Sequence, residues 1–222
     1  VLEWAGYPEI KTLDEYFDLL EKYYAENKSF TDAEGNTINI IPYTILCDDW
    51  RYFCLENAGQ FLDGYPNDGS VIVDPKTMKI VDYNTTPTSK VYFQKLNEEY
   101  NKGIVDKEFA TQTYDEYIAK LSTGAVLGMV DQNWDFNYTV TPIFATSGLA
   151  DLGCEYVPLG LMADGVTEQR WHTYGDTVNQ SSGCAVTTSC EDPDRAFQFL
   201  NDILNQDIHD LRFWGVEGVD YL

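Results

Sequence analysis

Residues 131–135, D-Q-N-W-D, carry the side chains in this sequence that are best suited to hold a hydroxyl-rich ligand. Trp134 offers a flat aromatic surface that can stack on the apolar face of a sugar ring. Asp131, Gln132 and Asn133 offer planar polar groups for the hydroxyls at the rim of such a ring. A carboxylate accepts charge-assisted hydrogen bonds, which are the stronger kind. We therefore predict a binding site here; the alternative is that Trp134 caps the hydrophobic core and the three polar residues form a turn.

Other aromatic residues in polar segments are further candidates for ligand contact. Trp50 lies in C-D-D-W-R beside two acids, and Trp171 and Tyr174 lie in the polar loop Q-R-W-H-T-Y-G. For Trp171, ligand contact and packing stay open as alternatives. Trp4 and Trp214 are predicted to pack against other residues.

Two carboxylates in the same run raise an enzymatic alternative. Glycoside hydrolases need a pair of carboxyl groups that flank the scissile bond, and Asp131 and Asp135 could face one cleft. Among 37 acidic residues, however, such a pair is expected by chance. The sequence has no G-x-S-x-G, H-E-x-x-H or P-loop motif. We therefore expect no catalytic residues, with a glycoside hydrolase and a ligandless interaction module as the alternatives.

Histidine and cysteine usage predicts neither a metal centre nor a cofactor. The two histidines, His172 and His209, are too few and too scattered for a zinc site. Five cysteines occur without a C-x-x-C motif. We interpret most of them as small buried hydrophobic residues. Bridges between Cys184 and Cys190 or between Cys47 and Cys54 stay open.

The charge of the chain limits the classes of partner. Its 222 residues include 14 Lys and Arg against 37 Asp and Glu, which gives a formal net charge of −23. Such a charge repels nucleic-acid phosphates and anionic membrane surfaces. We expect a neutral or cationic ligand and no nucleic-acid partner. An acidic surface also keeps a secreted protein soluble, which explains the charge without any ligand.

Helices and strands alternate along the chain, which favours an α/β sandwich around a mainly parallel or mixed sheet in one domain. Capping boxes (T-x-x-E) predict helices after Thr12 and Thr113, and D-P at 192–193 predicts another. The remaining predicted helices are at 48–62, from Ser89 to Gly103, from about 137 to 145 (after Q-N-W-D-F), and at 207–213. The predicted strands are 37–46, the hairpin 71–73 with 79–82, 125–130, 156–159, 183–187 and a strand-like segment at 215–221.

The placement of the 131–135 run agrees with a binding site. The apolar run A-V-L-G-M-V, residues 125–130, is typical of a buried strand, and it ends where Asp131 begins. Ligands of open α/β sheets bind beyond the carboxyl ends of the strands. We therefore expect Trp134 to lie at such an edge.

Four segments together resemble the family 1 extracellular solute-binding proteins of bacterial ABC importers, which have the maltose-binding-protein architecture. They cover the chain in the order of that family, and the resemblance is closest to lipoproteins of Gram-positive and gut bacteria. The segments are P-E-I-K-T-L-D-E-Y-F-D-L-L (8–20), K-L-S-T-G-A-V-L-G-M-V-D-Q-N-W (120–134), S-C-E-D-P-D-R-A-F-Q-F-L-N (189–201) and F-W-G-V-E-G-V-D-Y (213–221).

The resemblance implies a fold, a function and a location. It implies a three-layer αβα lobe of the type II periplasmic-binding-protein-like fold, mainly the second lobe of a two-lobed protein. The lobe would span 1–222, with interlobe or hinge helices near 193–222. It implies a monomeric, cell-surface lipoprotein that captures a sugar or oligosaccharide and delivers it to an ABC permease. Because the chain starts at Val1 and lacks a signal peptide, we expect it to be a fragment of that protein.

Overall fold

The chain forms two compact units, residues 1–173 and 174–222. The computed structural model describes residues 1–32, 35–56, 58–64, 71–73, 77, 79–163, 165–167 and 183–221. The interpretation of 1–222 as a single lobe stays a prediction.

The first unit combines helices with short strands, so the predicted mixed α/β class is confirmed. Its helices are α1 (Leu13–Glu26), α2 (Phe53–Glu56), α3 (Ala58–Leu62), α4 (Pro87–Lys102), α5 (Tyr114–Ser122) and α6 (Asn133–Ser147), with 3-10 turns at Asp49–Tyr52, Tyr83–Thr85 and Ala150–Leu152. Its strands form two antiparallel pairs: β1 (Ser29–Thr31) with β2 (Thr37–Asn39), and β3 (Val71–Val73) with β4 (Ile80–Asp82).

The helix starts follow from capping chemistry. Thr12 accepts the Glu15 N–H while the Glu15 carboxylate accepts the Thr12 N–H, which confirms the predicted capping box of α1. Thr113 and Glu116 do the same for α5. The α4 helix begins two residues earlier than predicted, because Thr86 is its N-cap and Pro87 occupies its first turn.

A ladder of ion pairs joins α1 to α4. The Lys95 ammonium lies 2.7 Å from the Asp14 carboxylate, and the Lys102 ammonium lies 2.7 Å from that of Glu21. Glu99 lies between the two lysines, 3.4 and 2.9 Å from their ammonium groups, and its side chain is fully buried. A buried carboxylate without a cation would be strongly destabilising, so both lysines matter to this helix pair.

Three extended segments run parallel at the centre of the unit. Residues 41–44 lie between 104–106 and 125–129. The Ile41 N–H donates to the Ala125 carbonyl at 3.0 Å, and the Tyr43 N–H donates to the Ile104 carbonyl at 3.1 Å. Isolated parallel bridges mark the arrangement: Ile41–Val126, Thr44–Met129 and Tyr43–Val105.

The predicted strand 37–46 is therefore divided into two parts. Its first part is β2, which pairs with β1, and its second part joins the parallel segments. In a regular strand the backbone groups of residues i and i+2 bond to the same neighbouring strand. Ile41 and Tyr43 instead bond to different neighbouring segments, and a bend at Pro42 separates them. Proline lacks an N–H and is found at such irregularities.

Several predicted elements are wrong in detail. Residues 156–159 and 183–187 have no strand structure. The predicted strand 125–130 contains only the isolated bridges at Val126 and Met129, and 215–221 contains only the bridge between Glu217 and Tyr221. The predicted helix over 48–62 is a 3-10 turn followed by the short helices α2 and α3. The hairpin of β3 and β4 and the predicted cap at Gly103, with φ of +77°, are confirmed.

The hydrophobic core lies between the parallel segments and the helices. Aromatic pairs run through it, including Phe17 of α1 and Tyr43 of the central segment, whose rings meet edge to face at 5.0 Å. Its fully buried side chains include Phe17, Leu20, Ile45, Leu46, Tyr117, Leu121 and Val140. These residues come from α1, α5, α6 and the central segment, so the core fixes the positions of all four.

The second unit contains α7 (Pro193–Asp202) and α8 (Gln206–Phe213). The predicted helix start at Asp192 and Pro193 is confirmed, because the Asp192 carboxylate accepts the Arg195 N–H. Trp214 is predicted to pack; its ring lies 6.0 Å from that of Tyr221 but is 66% exposed, so it packs only in part. In the first unit, Trp4 meets Tyr23 edge to face at 5.4 Å but is 46% exposed, so it packs only in part.

The cysteines differ from what their interpretation as core residues predicts. All five are free thiols, so neither of the two bridges left open is formed. Only Cys54 is buried, and Cys184 is exposed. No helix within the described ranges has the length and apolar character needed to span a membrane.

Gly128 is a point of close approach between α1 and the third parallel segment. A Cβ atom at this position would collide with the Tyr16 hydroxyl and press on Leu20. The Tyr16 ring packs there edge to face against Phe17 and Tyr43, at 5.5 and 6.0 Å. We expect Gly128→Ala to lower the free energy of unfolding by about 1–3 kcal/mol, as overpacking does. Urea denaturation measures this change.

A double variant tests the cause of that loss. In a Tyr16→Phe background the colliding hydroxyl is absent, so Gly128→Ala should cost less than it does in the wild type. Equal costs in the two backgrounds would refute the steric explanation.

Candidate functional site

The site lies at the carboxyl end of two neighbouring parallel segments. Residues 48–53 follow the central segment, and residues 131–135 follow the segment paired with it through Thr44 and Met129. Parallel pairing places both carboxyl ends at one edge of the sheet, which is where α/β proteins bind ligands. Two stretches that are distant in sequence therefore meet.

Two tryptophans form the surface of this site. The rings of Trp50 and Trp134 lie nearly parallel, with an interplanar angle of 11° and centroids 5.8 Å apart. Phe53 lies next to both, 5.9 Å from Trp50 and 6.4 Å from Trp134. The two indoles are 48% and 46% exposed. We call Trp50 and Trp134 the indole pair; it is an aromatic surface open to solvent, in the offset geometry that aromatic rings prefer.

Arg51 holds the Trp50 segment in place. Its guanidinium lies 4.4 Å from the Trp50 ring centroid and 3.8 Å from that of Tyr114. Its Nε donates to both carboxylate oxygens of Asp135, at 3.0 and 3.2 Å. The Asp135 side chain is buried, and the Tyr114 hydroxyl donates to its main-chain carbonyl at 2.6 Å. One ion pair thus joins the residue after Trp50 to the residue after Trp134.

Asp131 makes its hydrogen bonds to the protein. Its carboxylate accepts the Tyr117 hydroxyl at 2.8 Å, the Cys54 thiol at 3.4 Å and the Gln132 N–H at 2.7 Å. Burial raises the pKa of Asp131 to about 6, against the lowering effect of the Tyr117 hydrogen bond. Burial also raises the pKa of the Cys54 thiol, so the thiol stays protonated and can donate. Asp131 therefore positions the start of α6.

The two amides predicted beside Trp134 differ in their surroundings. The Gln132 side-chain oxygen accepts the indole N–H of Trp134 at 2.6 Å, which fixes the orientation of the ring. Asn133 is exposed at the first position of α6. Both lie at the edge of the indole pair.

The structure brings together five of the residues predicted to bind: Trp50, Asp131, Gln132, Asn133 and Trp134. Trp171 and Tyr174 lie outside the described residues. Trp134 is 46% exposed and its ring also packs against Trp50 and Phe53, so ligand contact and packing both stay open for it.

Five residues that support the indole pair were not predicted from the sequence. These are Phe53, Arg51, Tyr114, Tyr117 and Cys54. One signal was available for Tyr114 and Tyr117. Both lie in the first turns of a helix that ends just before residues 125–130, so the start of this helix must lie near the carboxyl end of the 125–130 segment.

One of the two carboxylates of the hydrolase alternative is engaged by the protein itself. The Asp135 carboxylate, one of the two acids of the hydrolase alternative, is ion-paired to Arg51 and shielded from solvent. Within the part of the chain that the structure describes, no group of three or more His, Cys, Asp or Glu side chains could hold a metal ion.

No protein-family model matches this chain, and no curated protein or solved structure matches it either. The resemblance carried by the four sequence segments accordingly stays a prediction.

The ion pair between Arg51 and Asp135 provides a test of the framework. We expect Arg51→Met to lower the free energy of unfolding by about 3–5 kcal/mol, because it leaves a buried carboxylate without its cation. Adding Asp135→Asn should restore a large part of this loss. Thermal unfolding of the two variants measures both effects.

Lys107→Met is the matched control, since it removes an equal charge from an exposed position. A loss of stability as large as that of Arg51→Met would show that net charge, and not the buried pair, is responsible.

The raised pKa of Asp131 predicts how stability depends on pH. Because its pKa is about 6 in the folded protein and about 3.9 in a model peptide, the folded state binds the proton more tightly between these values. Stability contributed by this group therefore falls as pH rises from about 4 to about 6 and is constant above. Asp131→Asn cannot ionise and should remove this fall.

The measurement is urea denaturation of wild type and Asp131→Asn at several pH values. The variant should gain about 2 kcal/mol relative to wild type between pH 4 and pH 6. The exposed Asp151→Asn serves as control and should show no such trend. A pH-independent difference between wild type and Asp131→Asn would contradict the assignment.

Proposed function

We propose that this chain is part of the extracellular substrate-binding component of an ABC importer, and that it captures an oligosaccharide and delivers it to a membrane permease. The observation that carries the proposal is the exposed indole pair at the carboxyl edge of the parallel segments. The sequence resemblance supplies the transporter context, the extracellular lipoprotein location and the monomeric state.

The indole pair suits a sugar for physical reasons. Sugar rings have apolar C–H faces that stack on aromatic planes, and removing both surfaces from water is favourable. Their hydroxyls need hydrogen-bond partners at the rim, which Gln132 and Asn133 supply. Both residues lie beside Trp134 in the structure.

The position of the pair supports a cleft between two lobes. In the proposed architecture residues 1–222 are mainly the second lobe, a three-layer αβα sandwich with interlobe or hinge helices near 193–222, and the first lobe closes over the ligand by a hinge motion. The parallel segments 41–44, 104–106 and 125–129 supply the middle layer. The carboxyl edge of this layer then faces the cleft.

The charges at the site favour a neutral ligand. The guanidinium of Arg51 lies over the Trp50 ring, and the buried Asp135 neutralises it. With a net charge of −23 for the chain, an anionic ligand would meet repulsion without a compensating cation. The same ion pair removes Asp135 from any catalytic pair with Asp131, so a glycoside hydrolase is the less favoured function.

Calorimetric titration of the full-length protein against a panel of neutral oligosaccharides tests this function. We expect one class of sugar to bind, and Trp134→Ala or Trp50→Ala to weaken it at least about tenfold (roughly 1.4 kcal/mol). Trp4→Ala is the matched control, because Trp4 is also 46% exposed but lies elsewhere on the unit. It should leave the affinity unchanged.

Two results would contradict the proposal. If no sugar binds, the ligand is not a carbohydrate. If a chromogenic glycoside is turned over by the protein and loses turnover with Asp135→Asn, the chain is a hydrolase.

A further inference from the structure

The outer face of α6 continues the surface of the indole pair. Trp134, Asn137, Tyr138 and Thr141 occupy positions i, i+3, i+4 and i+7, which share one side of a helix. We call these four residues the α6 stripe. Tyr138 is 81% exposed, more than either indole.

The α6 stripe presents aromatic and hydrogen-bonding groups without any charge. Among Asp, Glu, Lys, Arg and His, only Asp135 occurs in Asn133–Ser147, and it is buried against Arg51. The solvent-facing α6 stripe therefore carries no charge, although the chain has a net charge of −23. The cores of binding surfaces are depleted in charged residues in the same way.

The second aromatic ring of the stripe repeats the chemistry of the first. An α-helix rises about 1.5 Å per residue, so Tyr138 begins about 6 Å further along the axis than Trp134. The indole of Trp134 has an amide beside it, Gln132. Tyr138 likewise has Asn137 and Thr141 beside it, whose side chains hydrogen-bond to each other. Each ring is therefore accompanied by groups that can bind hydroxyls.

We propose that the ligand of this site is an oligosaccharide longer than a disaccharide, and that it extends from the indole pair along α6 so that a further sugar unit stacks on Tyr138. Asn137 and Thr141 would bond to the hydroxyls of that unit. This inference rests on the proposed function, which it extends by assigning a second subsite. A single exposed tyrosine would need no explanation; its alignment with Trp134 on an uncharged stripe is what the inference explains.

The test is a titration of the full-length protein with homologous saccharide series of increasing length, from the monosaccharide to the hexasaccharide, in the maltose, cellobiose, xylobiose and mannobiose series. In the series that binds, affinity should rise with length beyond the disaccharide. Tyr138→Ala should weaken the longer members about tenfold and leave the disaccharide unchanged, while Trp134→Ala weakens both.

Two further variants keep the result interpretable. Tyr138→Phe retains the ring and should bind the longer members nearly as wild type does, since stacking needs the ring and not the hydroxyl. Tyr7→Ala removes another exposed tyrosine, one that lies outside α6, and should change no affinity.

The outcomes separate this inference from the function on which it rests. If sugars bind and Trp134→Ala weakens them, but Tyr138→Ala weakens none or weakens short and long members equally, the second subsite is refuted and the proposed function stands. If Tyr138→Phe loses as much affinity as Tyr138→Ala, stacking on this ring is refuted. If no saccharide of any length binds, both proposals fail.

Discussion

The parallel pairing of two segments is the constraint on which the site depends. Hydrogen bonds from Ile41 to Ala125 and from Thr44 to Gly128 set residues 41–46 beside residues 125–130 in one direction. Only this direction places both carboxyl ends at one edge, and only then can Trp50 meet Trp134. The large aromatic side chain of Tyr16 can pack against the two paired segments because Gly128 has no side chain. Close packing of α1 and the aromatic surface at the edge are therefore consequences of one pairing.

The exposed aromatic surface is held from below by polar contacts. Arg51 bonds to Asp135, and Asp131 accepts bonds from Tyr117 and Cys54, so each end of the indole pair is tied to a helix start. An ion pair at the surface contributes little, but a shielded one fixes geometry because breaking it leaves a charge without a partner. Exposed rings that are held rigid lose less conformational entropy when a ligand binds.

Local chemistry made part of this structure predictable. Capping boxes fix the starts of α1 and α5, and the apolar run 125–130 followed by Asp131 locates the edge of the sheet. The contact between Trp50 and Trp134 was not predictable, since it depends on which segments become neighbours, and neither periodicity nor spacing contains that. For the same reason the sequence did not predict that Asp131, a predicted ligand-binding residue, bonds to the protein. Its partner Cys54 lies in a segment that is far away in sequence. The predicted strand 156–159 is wrong: its apolar pattern comes from residues such as Tyr156, whose ring packs on Phe136 and whose hydroxyl donates to the Val126 carbonyl, without any backbone ladder.

Charge and shape at the site lead to the same class of ligand by separate arguments. The carboxylates of the chain exclude polyanions at a distance, whereas the guanidinium of Arg51, matched by Asp135, offers an anion no net attraction at close range. What the surface does offer is two indoles, a phenol on the next turn of α6 and neutral amides between them. A ligand that gains from all of these must have apolar faces that repeat along its length and hydroxyls at its edges. A chain of sugar rings has both properties. A cationic solute could bind to carboxylates but would make no use of the uncharged groups of the α6 stripe.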